Sequence, residues 1–212
     1  MTAEADGRLR ADATRNIDRL LRAAREVYAE LGPDVQMELV ARRAGVGERT
    51  LYRRFPTKGD LVRAALDQSI VENLLPAIEK ARRSTDPFRG LTQLIEAAIS
   101  LGAREHNMLV AGRRADAIDG ISTPLDEALN DLMLRAQKAG LVREDLVADD
   151  LPRVIAMLNS VLWTMDPASD GWRRYVALIL DAISTKSPRR LPPAAALQYP
   201  QRLDRSYGGW NR

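Results

Sequence analysis

The chain has 212 residues, 45% of them hydrophobic, which is enough for a packed core and too apolar for a wholly disordered polymer. With no cysteine and one histidine, His106, it excludes disulfides, thiolate nucleophiles and Cys-based zinc sites, and leaves little room for a Ser-His-Asp triad or a multi-His metal centre. The net charge of +3 hides an uneven spread: Lys+Arg against Asp+Glu is 13 to 10 in residues 1–66, 14 to 18 in 67–187 and 5 to 1 in 188–212, so head, body and tail suit different partners.

Helical spacing recurs along the chain, and no stretch alternates apolar and polar as a half-buried strand would. The opening "MTAEADGRLRADATRN" lacks the apolar stretch of a secretory signal, and residues 1–13 read as a flexible arm. A first helix is expected over Arg15 to Leu31, where Ile17, Leu20, Leu21, Ala24, Val27, Tyr28 and Leu31 form one stripe and Gly32-Pro33 stops it. A second covers Met37 to Ala44, and Gly45 stands where a sharp helix-to-helix turn needs positive φ. A third runs from Glu48 to Phe55 and ends at Pro56. Thr57 and Asp60 then form an approximate capping box for a fourth, which passes Leu75 and is ended or kinked by Pro76.

Five more helices follow: Pro87 to Arg104, Asn107 to Ile118, one capped by Thr123 and closed at Gly140, Asp149 to Met165, and Asp170 to Ile183. Residues 187–212 hold four prolines and read as an extended tail. The fold class is therefore all-α with about nine helices. No run of ~18 apolar residues occurs, so no membrane span is expected, and the chain is expected to be cytoplasmic.

The third helix is unusually basic. Arg49, Arg53, Arg54 and Lys58 crowd the segment 44–61 against only Glu48 and Asp60. On a helical wheel Leu51 and Phe55 fall together and point at the core, whereas Arg49, Thr50 and Arg53 lie opposite, with Tyr52 on a flank. A cationic face on a short helix, braced by another across a Gly-containing turn, is a helix-turn-helix arrangement. Such a helix fits the major groove, where Arg pairs bidentately with guanine, and Lys58 beside free backbone amides suits a phosphate.

The stretch "MELVARRAGVGERTLYRRFPTKGDLVRAAL" resembles the DNA-binding domain of TetR-family transcriptional regulators, with Val40-Ala41, Ala44-Gly45-Val46, Thr50-Leu51-Tyr52, Phe55 and Lys58 at the family's motif positions. "RLLRAAREVYAELG" is similar to the family's first helix. The resemblance implies a three-helix DNA-binding domain over 14–66 (motif 36–55) and a larger effector-binding and dimerisation domain over 67–186. It implies phosphate contacts from Thr50, Tyr52 and Lys58, and base contacts from Arg49 and Arg53, with Arg54 on the same cationic surface. Arg49 stands where a small residue is common in the family, so either a base or a phosphate is open to it. Gly47 replaces the usual Ser cap, a change worth a few tenths of a kcal/mol.

In the body, Leu178, Ile179 and Leu180 cover about 200° of helix surface, more than one packed face hides. A homodimer is expected through Leu151, Ile155, Leu158, Leu162, Trp172, Leu178 and Ile179, which also agrees with the family. Pocket candidates are Ile95, Met108, Met133, Trp163 and Trp172. The partners implied are a palindromic DNA operator, a small-molecule effector and a second copy of the chain. No paired-carboxylate, metal-ligand or nucleophile constellation appears, so neither an enzyme nor a metal or cofactor protein is expected.

Overall fold

The computed structural model describes residues 2–118, 123–166 and 169–185, with side chains from Arg15 onward. Among these residues nine helices form the molecule, α1 (Thr2–Leu31), α2 (Met37–Ala44), α3 (Glu48–Arg54), α4, α5 (Pro87–Arg104), α6 (His106–Arg114), α7 (Thr123–Lys138), α8 (Asp150–Val161) and α9 (Trp172–Ile183). The long α4 comprises Lys58–Ser69, a π turn at Ile70–Leu74, and Leu75–Arg82. Pro76 thus does not end it: the helix runs on past the proline, which sits just after the π turn.

The boundaries follow local chemistry. Gly45 adopts φ 65°, and its N–H bonds to the Arg42 carbonyl at 3.2 Å while Val46 N–H reaches Ala41 O at 3.0 Å, closing α2. Phe55 is extended, as the residue before a proline must be. Thr57 and Asp60 complete a reciprocal capping box at the start of α4. Asp86 caps α5 by accepting from the N–H groups of Phe88 and Arg89, both at 3.0 Å.

Three expectations shift. The backbone of α1 is helical from Thr2, so residues 2–13 continue the helix instead of forming an arm; Ala, Glu, Arg and Leu there are strong helix formers. α6 stops at Arg114, four residues early. Asp116 takes φ 50° and Ala117 N–H closes onto Gly112 O at 2.9 Å, a left-handed cap that needs no glycine. Thr123 lies within the first turn of α7, one position later than a cap. The 187–212 tail lies outside the described residues.

Two apolar cores divide the chain. The first is built by α1, α2, α3 and the start of α4 around Leu20, Val27, Tyr28, Val40, Leu51, Phe55, Leu61 and Val62, and α6 contributes Met108 and Ala111 to it. The second joins the end of α4 to α5, α7, α8 and α9 around Leu91, Leu94, Ile95, Leu129, Leu132, Leu151 and Leu180. Polar ties fasten the later helices to α1 and the loop after it: Arg25 of α1 to Glu72 of the π turn at 2.8 Å, Arg114 to Asp34 at 2.7 Å, and Asn107 Nδ2 to the Tyr28 carbonyl at 2.9 Å. No described helix is long and apolar enough to cross a membrane.

Candidate nucleic-acid interface and ligand cavity

α3 is seven residues long and separates its faces sharply. Leu51 is 0% exposed and Phe55 is buried in the first core, anchoring the helix. Arg49, Arg53 and Arg54 are exposed, with no ion pair among the described residues, and Thr50 is half-buried. Burying Leu51 contributes on the order of 2 kcal/mol, which fixes the guanidinium groups outward without any contact of their own. Arg43 of α2, by contrast, is held on α1, with Nη2 2.6 Å from Glu30. Within the helix-turn-helix, the outward cations are those of α3 together with Arg42 just before the turn.

Two of the expected phosphate contacts have protein partners. The Tyr52 hydroxyl donates to the Glu38 carboxylate of α2, which keeps that carboxyl below its ordinary range and raises the phenol. Lys58 donates to the Pro33 carbonyl at 3.0 Å and lies 5.5 Å from the centre of the Tyr28 ring, so its ammonium pins the α1–α2 loop against α4. In the first turn of α4 the capping box takes the Asp60 amide, and the Lys58 and Gly59 amides are left for an anion.

In the body, α4, α5, α6, α7 and α8 enclose a cavity of about 240 Å³. Its apolar walls are Leu66, Ile70, Leu74, Leu101, Leu109, Ile118, Leu125 and Ile155. The polar lining consists of Ser69, Glu105, Asn159, Asp126 and Arg113. Ser69 is fully buried, and its hydroxyl donates to Glu105 Oε1 at 2.6 Å. Asn73 Nδ2 bonds to the Ser69 carbonyl at 2.8 Å, satisfying a group in the stretch where the π turn changes the helical register. Asn159 Oδ1 is buried with no hydrogen-bond partner among the described residues.

None of the five pocket candidates lines this cavity. Ile95, Met133 and Trp172 fill the second core, Met108 fills the first, and Trp163 packs edge-on against His106 with ring centres 4.7 Å apart. The lining uses smaller aliphatic and polar residues that periodicity does not distinguish from core. Of the seven dimer candidates, Leu151, Ile155, Leu158, Leu162 and Trp172 are buried within the subunit, whereas Leu178 is 42% exposed and Ile179 is half-buried. The most apolar stripe of each helix is consumed by its own subunit. The large apolar residues that α8 and α9 leave exposed are Met157, 56% exposed, and Leu178.

Residues 20–65 match the family described as bacterial regulatory proteins, tetR family, and residues 86–184 match the C-terminal domain described as transcriptional regulator SbtR-like. No curated protein matches at a significant level. Among solved structures, the chain is similar to the TetR regulator SCO0520 from Streptomyces coelicolor, at 27% identity over 81% of this chain and 99% of that one, TM-score 0.59. It is equally similar to a TetR regulatory protein from Mycobacterium vanbaalenii, at 27% identity over 84% and 99%, TM-score 0.59. PfmR from Thermus thermophilus, at 24% identity over 76% and 97% with TM-score 0.59, shares the fold.

Proposed function

This chain belongs to the TetR family of transcriptional regulators, and on that footing we propose that it is a homodimeric repressor released from a palindromic operator by a small molecule. The observation that carries the DNA-binding half is the sidedness of α3: Leu51 and Phe55 inward, Arg49, Arg53 and Arg54 outward and unpaired among the described residues. Arg53 and Arg49 read base edges; Thr50, Arg54 and the amides at Lys58 hold phosphates. Tyr52 reaches a phosphate by giving up Glu38.

The dimer follows from two outward apolar side chains, Met157 and Leu178, on adjacent helices at the end of the fold away from α3. A two-fold axis there presents both α3 helices on one side, and an operator requires them about 34–36 Å apart. Effector release is supported by the helices that serve both ends. α4 puts Leu66, Ser69, Ile70 and Leu74 on the cavity and Lys58 under the α1–α2 loop. α6 puts Leu109 and Arg113 on the cavity while Met108 and Ala111 pack in the DNA-binding core. A ligand that favours one arrangement of α4 and α6 shifts the population of α3 spacings, and the operator weakens that ligand by the same factor.

The experiment is enrichment of sheared genomic DNA on the purified protein, followed by sequencing. The proposal expects a small set of fragments sharing an inverted repeat, lost with Arg53→Ala. Enrichment that tracks total DNA abundance, or that survives this substitution, contradicts it.

A further inference from the structure

Among the described residues, the one buried charge on the cavity is a carboxylate, Glu105. The Ser69 proton is engaged by Glu105, Asn159 Oδ1 has no donor, and Glu105 is about nine-tenths buried with the Ser69 hydroxyl as its one donor among the described residues. Backbone geometry holds Asn159 in place: a methyl group added at Gly102 would collide with its Oδ1, so the glycine lets α8 present that oxygen close against α5. With one donor on Oε1, Glu105 has acceptor capacity left, which a ligand's N–H groups fill.

The approach to the site has the same polarity. Asp126, Pro152 and Ala156 line both the cavity and an adjoining surface groove, whose remaining charges are Glu127, Asp149 and Arg153. Arg153 already faces Asp149 at 3.4 Å, so the groove favours cations on entry. Arg113, the one cation lining the cavity among the described residues, is exposed to solvent and not set among the buried acceptors.

We propose that this cavity binds a compact protonated amine, its N–H groups on the Glu105 carboxylate and its apolar body against Leu66, Ile70 and Ile155. This rests on reading the cavity as the effector site. The volume of about 240 Å³ lies below the ~300–1,000 Å³ of common ligand pockets, so the body is small, of the order of one ring and a short chain. A carboxylate head of the same shape meets the Glu105 charge at close range and is disfavoured.

The test is calorimetric titration of the full chain with phenylbutylamine, phenylbutanol and phenylbutyrate, which share a body and differ in the head group. The amine should bind at least about tenfold tighter than the carboxylate, the size of one charge-assisted hydrogen bond. Glu105→Gln should weaken the amine about tenfold and leave the alcohol within about twofold, while Asn159→Asp should tighten the amine. If Glu105→Gln fails to fold by circular dichroism, Asn159→Asp decides alone. Carboxylate binding as tight as the amine, no binding by any of the three, or an amine affinity unmoved by the substitutions overturns the assignment. The same probes are then added to the protein bound to its enriched DNA. Amine binding without DNA release leaves the ligand class standing and refutes effector release, whereas release by phenylbutyrate alone does the reverse.

Discussion

The Tyr52 hydroxyl of α3 donates to the Glu38 carboxylate of α2, joining the two helices across the Gly45 turn. The same hydroxyl is the donor that a phosphate would use, and Glu38 would then stand beside that phosphate as a like charge. Glu38→Gln keeps an acceptor for Tyr52 and removes the repulsion. DNA affinity should rise roughly fivefold at low salt, read by fluorescence anisotropy, with the gain shrinking as salt is added. Unchanged or weaker binding would mean that Glu38 chiefly holds Tyr52 in its DNA-bound position.

The turn itself should be sensitive to backbone strain alone. Nothing lies within 4 Å of a Cβ built on Gly45, so Gly45→Ala costs only the left-handed conformation at φ 65°, about 1–2 kcal/mol in a denaturant melt. Leu51→Ala, which empties a fully buried site, should cost about 3 kcal/mol by the same measurement. Arg53→Ala, on the opposite face, should leave stability within about 0.5 kcal/mol. Comparable losses at Leu51 and Arg53 would refute the sidedness of α3.

Leu178→Glu places a charge on the outward face of α9 without touching the subunit core. Sedimentation should show a dimer for the parent chain and a monomer for the variant, with helix content retained and specific DNA binding lost. A Leu178→Glu dimer would locate the contact elsewhere.

His106 gives a pH signature. Burial, and then the nearby Arg113 charge, lower its pKa from 6.5, so the folded chain favours the neutral ring against Trp163. The unfolded chain binds the proton more readily, so stability rises with pH here: it is fully present above about pH 6.5 and is lost as the pH falls through the lower folded value. Thermal melts from about pH 5 to 7.5 should slope accordingly, and His106→Gln should flatten that part of the profile. A slope unchanged in the variant would assign it to carboxylates.

What was legible in the sequence was local. The inward pair Leu51 and Phe55 is one helical turn apart, the Gly45 turn is a statement about one φ angle, and Thr57 with Asp60 closes a ring of four residues. Each is decided by near neighbours, and each stands in the structure. The cavity is not local. Leu66 and Asn159 meet across five helices, and no period says whether an aliphatic residue faces a void or a neighbour. Met108, Met133 and Trp172 drew attention as large or pliable side chains, which is also why they fill the two cores. The dimer face misled for a related reason. Leu151, Leu158 and Leu162 form the strongest stripe of their segment, and a subunit claims its strongest stripe for itself, leaving Met157 and Leu178 outside.

The most direct measurement is the salt dependence of binding to an enriched genomic duplex, compared between the parent chain and Arg53→Ala. The account predicts a steep linear fall of log K with log salt, a slope shallower by about one for the variant, and loss of its preference over random duplex. A flat salt response in the parent chain, or a variant that still prefers the enriched duplex with an unaltered slope, would contradict it.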